Sequence, residues 1–216
     1  MIGIFGGTFD PIHCGHLRTG LELMQALELA ELRWIPVGNP GHRNPPRAPA
    51  EFRLGMVRVA IAGQPGFVLD DREIRRAGVS YTVDTLNEIR REEIVRESQR
   101  PLCLLLGMDA FGGFHGWHRW REILDVAHLI VATRPGCCMP TEGPIAALLA
   151  ERRATEPRML QTTASGLIHV RPVTSLEISS TELRELLQRG GDPRYLVPEA
   201  VRTMIVESGC YAAPHV

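Results

Sequence analysis

The chain contains no lysine; all 24 of its basic residues are arginine. That excludes Schiff-base chemistry and the lysine of a phosphate-binding P-loop. No apolar run approaches the ~18 residues of a membrane span. The chain opens on MIGIFGG, without the basic segment of a secretory leader. Cysteine is scarce and odd in number, five residues at no metal-like spacing, with Cys137 and Cys138 adjacent. That pattern favours reduced thiols over a disulfide framework, and with the missing leader it implies a cytoplasmic location. The charge is nearly balanced, at −1. So neither nucleic acid nor a membrane surface is expected as a partner, and any phosphate binding must come from a local site.

What is present is an ordinary globular composition. Of the 216 residues, 44% are hydrophobic and 23% charged, enough to bury a core. The length predicts one domain over residues 1–216, with a core to about 190 and a helical extension from about 191. Apolar runs over 2–5, 33–37, 67–69, 102–106, 127–132 and 167–170 read as strands. Helical spacing covers 17–32, 50–62, 82–97 and 198–208, the last forming a small C-terminal cap. Residues 38–49 and 134–144 read as surface loops, and 152–166 as an irregular polar segment. Strands buried on both faces and alternating with helices predict a doubly wound parallel α/β sheet covered on both sides. In such sheets ligands sit at the strands' carboxyl ends, here the loops after Phe5, Val37, Leu106 and Ala132.

The first of these loops reads GGTFDPIHCGH. Two glycines after a strand let backbone N–H groups reach a ligand, and the helix start beyond offers unpaired donors to phosphate. His13 and His16 are three apart, and Gly15 keeps the space beside them open. Their imidazoles can donate to phosphate oxygens. Each element also has a plain structural reading: a turn, a surface histidine pair, and Asp10-Pro11 as a helix start.

Four further groups carry polar chemistry. Ser179 and Glu182 in ISSTELR form a capping box, and its hydroxyls and arginine also make a polyphosphate clamp. Gly107-Met108-Asp109 ends the most apolar strand, where a carboxylate serves as a helix cap or accepts from ribose hydroxyls. Trp117-His118-Arg119-Trp120 supplies indoles for packing or for stacking on a planar ligand. SYTVDTL reads as a helix start capped by Ser80 or Thr82, whose N–H groups suit an acid. Arg75-Arg76 and Arg152-Arg153 read as solvated helix faces.

The eleven residues GGTFDPIHCGH resemble the signature of the HxGH nucleotidyltransferases, in the form found in bacterial nicotinate-nucleotide adenylyltransferases. The resemblance implies a Rossmann-like fold and adenylyl transfer from ATP to nicotinate mononucleotide, giving deamido-NAD and pyrophosphate for NAD biosynthesis. It implies His16 on the α-phosphate, His13 assisting on the triphosphate, and Gly6, Gly7, Thr8 and Phe9 in the ATP site. Ser179, Ser180, Thr181 and Arg184 would hold the outer phosphates, and Gly107 and Asp109 the ribose. Trp117 would stack on the nicotinate ring, with Tyr81, Thr82 and Thr8 on the same substrate. Pro40-Gly41-His42-Arg43 resembles the family's PPHK loop, with glycine and arginine replacing proline and lysine, and implies phosphate contacts from His42 and Arg43. Trp120 reads as core, and the role of His118 is open. Mg²⁺ would accompany ATP, held mainly by its phosphates and water rather than by protein ligands. The expected reaction is a direct in-line attack by an already ionised phosphate, without a covalent intermediate. Three alternatives stand beside it: the amide mononucleotide as substrate, another HxGH adenylyl or cytidylyltransferase, and a nucleotide-binding regulator. No long apolar surface stripe stands out to fix the oligomeric state, and a homodimer is compatible with the sequence.

Overall fold

The computed structural model describes residues 1–41, 45–134, 136 and 139–213. In chain order, β1 (Ile2–Gly7), α1 (Cys14–Ala26), β2 (Glu31–Pro36), α2 (Ala50–Ile61) and β3 (Phe67–Leu69) form the first half. A short α3 (Arg72–Arg75) and the long α4 (Thr82–Val95) lead to β4 (Leu102–Gly107), α5 (Met108–Gly112) and α6 (Trp120–Val126). The second half continues with β5 (His128–Thr133), α7 (Gly143–Arg152), β6 (Arg153–Ala154) and β7 (Ile168–Pro172). It closes with α8 (Ser180–Gln188) and α9 (Glu199–Ser208).

The strands pair in parallel in the order β3-β2-β1-β4-β5-β7-β6. Side chains alternate across a strand, so each apolar run feeds two cores. Leu102, Leu104 and Leu106 of β4 join Ile4, Leu86 and Phe111 on one face of the sheet. Cys103 and Leu105 join Leu23, Trp34, Val57 and Ile205 on the other. The continuous hydrophobicity of these strands follows from that double burial. From β1 the chain first builds outward through β2 and β3, then returns to place β4 on the other side of β1. The order therefore reverses between β1 and β4, which opens a crevice at their carboxyl ends.

The doubly wound α/β expectation holds, with differences at particular elements. The first helix starts at Cys14, not at Leu17, and ends at Ala26 because Glu28 takes a left-handed φ of 51°. Residues 31 and 32, expected in that helix, are strand; Leu32 aligns with Gly3 of β1. The 134–144 loop is shorter than expected, since α7 begins at Gly143 with proline in its first turn. Inside the segment expected to be irregular, Arg153–Ala154 adds a short edge strand to β7. Arg76 is not solvated; it donates to Thr85 Oγ1 at 3.0 Å and pairs with Glu88 at 2.8 Å. Arg75, Arg152 and Arg153 are exposed as expected.

Candidate active site

The loop after β1 carries the two histidines into the crevice. His13 is the N-cap of α1, with extended backbone (φ −146°, ψ 169°), and is 4% exposed. Its main-chain N–H donates to His16 Nδ1 at 3.3 Å. With Nδ1 accepting, the neutral His16 ring carries its proton on Nε2, which is thereby a donor. The two rings stack at 3.6 Å between centroids. A Cβ on Gly15 would stand 3.0 Å from His13 Nδ1, close enough to push the ring aside, and glycine leaves that space open. His13 Nδ1 is buried with no hydrogen-bond partner among the described residues.

Both imidazoles are uncharged at neutral pH. Burial, and then the Arg134 guanidinium, push His13 down to about 4. Burial, then His13 and Arg134, hold His16 well below the usual histidine range. The aromatic wall contributes to that burial: Phe9 meets the His16 ring edge-on at 5.2 Å, and Phe5 lies at 6.3 Å. The pair therefore offers N–H donors from a dry surface, not two positive charges.

Two cavities adjoin at the crevice, with Phe5, Leu105, Leu106 and Gly107 in the wall of both. The first, about 480 Å³, is lined by His13, His16, Asp109, Arg134, Ser179 and Ser180 among others. The second, about 390 Å³, holds Gly6, Gly7, Thr8, Tyr81, Thr82 and Trp117. Both have the size of small-molecule sites.

On the first cavity's rim, the Ser179 half of the expected capping box is present. Ser179 Oγ accepts from the Glu182 N–H at 3.2 Å, and its hydroxyl donates to Glu182 Oε2 at 2.8 Å. Ser180 donates to the Pro11 carbonyl at 2.9 Å. Arg184 donates to the Asp10 carbonyl at 2.7 Å and to Thr181 Oγ1 at 3.1 Å. Thus α8 grips the histidine loop, and neither Thr181 nor Arg184 is among the lining residues. Phe9 is not in the lining either, because its ring, 2% exposed, packs against Trp34. Asp10-Pro11 is not the helix start that its dipeptide suggests; Asp10 is buried and α1 begins four residues later.

In the second cavity, Trp117 is half-buried against Phe114, 5.5 Å away. Tyr81, and neither Ser80 nor Thr82, is the N-cap of α4, and it makes no side-chain cap bond. The Ser80 hydroxyl turns instead to the Glu73 carbonyl, at 3.5 Å. The amides of Thr82 and Val83, at the helix start, have no partner within α4. His118 lines this cavity too, its ring stacked on Tyr81 at 4.1 Å. Trp120 is partly buried, edge-on to Phe114. Pro40 and Gly41 complete the rim, while His42 and Arg43 lie outside the described residues.

Two arginines escaped the motif reading. Arg134 follows the carboxyl end of β5, one of the loops that strand topology marks, and brings a positive charge beside both histidines. Arg53 is 1% exposed and donates to the Thr8, Gly38 and Ala48 carbonyls at 2.7, 3.3 and 3.2 Å. It ties the histidine loop to the 38–48 segment. Its only sequence signal is a basic residue on the buried side of an otherwise apolar helix. Among the described residues no cluster of three or more His, Cys, Asp or Glu could hold a metal by itself, and no helix is long and apolar enough to cross a membrane.

A family model described as cytidylyltransferase-like matches residues 4–186. The chain is 44% identical over 213 residues to a protein of Methylococcus capsulatus named probable nicotinate-nucleotide adenylyltransferase, spanning 98% of this chain and 100% of that one. It is 47% identical over 210 residues to a protein of the same name from Aeromonas hydrophila, spanning 97% and 96%. The solved structure of Plasmodium falciparum nicotinic acid mononucleotide adenylyltransferase complexed with NaAD matches with a TM-score of 0.72 at 16% identity, over 97% of this chain and 96% of that one. At that identity it speaks to the fold. The paired histidines in a cavity that shares a wall with its neighbour, the matching family model and full-length relatives of one name place the chain among the cytidylyltransferase-like nucleotidyltransferases, as a member of the nicotinate-nucleotide adenylyltransferase family.

Proposed function

We propose that ATP fills the cavity beside His13 and His16, that nicotinate mononucleotide fills its neighbour, and that the adenylyl group passes across their common wall. The observation that carries this reading is the pair of cavities meeting at Phe5 and Gly107. An acceptor phosphate entering from one side can then meet an α-phosphorus held on the other. Bringing the two reactants together in line supplies much of the rate, since the attacking phosphate is already ionised and needs no base.

His16 donates from Nε2 to the α-phosphate as charge shifts toward pyrophosphate, and His13 assists on the same tail. Arg134 offsets the charge of the leaving group, and the start of α8 at Ser179 and Ser180 receives the outer phosphates. Thr181 and Arg184 shape this end through the loop they hold; His42 and Arg43 we keep as phosphate contacts. Gly107 leaves the passage open and Asp109 accepts from the ribose hydroxyls. The backbone of Gly6, Gly7 and Thr8 faces the acceptor, with Phe9 behind His16. Trp117 stacks on the pyridinium, and the helix start at Tyr81 and Thr82 receives the nicotinate carboxylate.

A divalent cation, Mg²⁺, fits this donor set as an ion carried on the nucleotide's own oxygens, with the Asp109 carboxylate in the same cavity. Bound there it neutralises triphosphate charge. Free thiols at Cys14, Cys103 and Cys210 and the use of ATP suit a cytoplasmic enzyme. Pyrophosphate release tests the reading: it is expected with ATP and nicotinate mononucleotide together and not with ATP alone. A chain that binds ATP yet releases no pyrophosphate would be a regulator instead.

A further inference from the structure

The Asp10 carboxylate sits inside the GGTFDPIH loop, 4% exposed, and collects donors from two distant stretches of chain. Oδ2 accepts the Arg47 N–H at 2.8 Å; Oδ1 accepts the Ala48 N–H at 3.1 Å and the Tyr211 hydroxyl at 2.7 Å. Tyr211 lies just beyond α9, its side chain wholly buried in the core that α2 and α9 share. Arg47 also donates to the Ala212 carbonyl at 2.7 Å, and the Cys14 N–H donates to Leu196 at 2.9 Å. The C-terminal segment is thus bonded to the histidine loop before and after His13.

We infer that Tyr211 is a positioning residue for adenylyl transfer: through Asp10 it fixes the loop from which His13 and His16 face the ATP cavity. A buried carboxylate is stable only while its oxygens are supplied with donors. Tyr211 supplies one of them from the far end of the chain. Freed of it, Asp10 shifts to recover a donor and the loop shifts with it. Displacements of the order of an ångström are enough to misplace a catalytic donor. Tyr211 lines neither cavity, so it touches ATP in neither and acts through the hydrogen bond to Asp10.

The inference rests on the proposed ATP site, and the variant Tyr211→Phe tests it by removing one oxygen and keeping the ring. In the pyrophosphate assay, KM for ATP is expected to rise about 5–10-fold and kcat to fall by a similar factor, with KM for nicotinate mononucleotide within about twofold. Hydrogen exchange should quicken in peptides covering 8–17 and 45–50 and stay at the wild-type rate elsewhere. An unchanged KM for ATP, or faster exchange spread over the whole chain, would overturn it and leave Tyr211 an ordinary core residue. Should that chain fail to fold, Asp10→Ala is read the same way, since it removes the oxygen that accepts from the Tyr211 hydroxyl. A wild-type chain that released no pyrophosphate would count against the proposed function and not against this bond.

Discussion

Replacing His16 by alanine is expected to lower kcat by roughly 10²–10³ while changing the Kd for ATP only a few-fold. The ring's Nδ1 is committed to the His13 main chain, so a single donor, Nε2, remains for substrate. That donor stands against Phe5 and Phe9, where little water competes and a hydrogen bond to developing charge is worth most. Ground-state ATP still has Arg134, the start of α8 and Asp109 to bind, which is why affinity should survive. Equilibrium binding of a non-hydrolysable analogue, set beside single-turnover pyrophosphate release, separates the two effects. A kcat within a few-fold of wild type would remove His16 from the chemistry. The same burial has a cost in stability below neutrality. His13 takes its proton near 4 when folded and near 6.5 when unfolded, so as pH falls through that window the unfolded chain alone gains the proton. Folding free energy should therefore decline by about 3 kcal/mol between pH 6.5 and 4 from this residue, and stay level from it above pH 7.

Nicotinate mononucleotide is expected to exceed its amide counterpart in kcat/KM by roughly 100-fold. The receiving surface is the start of α4, where the Thr82 and Val83 amides and the positive end of the helix favour an anion. An amide loses that charge and turns two hydrogens of its own toward donors, which leaves buried N–H groups unpaired. One group in the wall works the other way: the Glu73 carboxyl, 8% exposed. Burial pushes it above the usual carboxylate range, and Thr85, donating to it at 2.6 Å, acts in the opposite sense and shares out what charge it carries. Arg76 follows, bonded to the same hydroxyl at 3.0 Å. The acid is thereby accepted beside a carboxyl that would otherwise repel it. Parallel rate measurements on the two mononucleotides decide the matter, and a ratio near one would show that this helix start does not select the acid.

The parts of the molecule legible in the sequence are those that short-range chemistry specifies. Apolar runs such as Leu102–Leu106 identify buried parallel strands because they are too short for a buried helix and end on a glycine. ISSTELR declares its own cap, since Ser179 and Glu182 bond each other. Long-range contacts are another matter. Nothing within a few residues of Asp10 says that its partner is Tyr211, 201 positions away. Arg184 has the spacing of a phosphate clamp, yet a carbonyl of a loop 174 positions earlier claims its guanidinium. Arg76 looks like an exposed charge until α4 lays Thr85 and Glu88 against it. The two-residue strand Arg153–Ala154 has no pattern of its own and exists because the edge of β7 is there to pair with.

A crystal structure of the protein with a non-hydrolysable ATP analogue tests the central claim most directly. The account places the α-phosphate within hydrogen-bond distance of His16 Nε2, with the outer phosphates at Ser179, Ser180 and Arg134. A third cavity, of about 640 Å³, lined by Arg33, Arg72, Arg75, Arg76 and Arg96 with their carboxylate partners near the β3 edge of the sheet, offers a different resting place. Density for the triphosphate there, with the histidine loop empty, would contradict it.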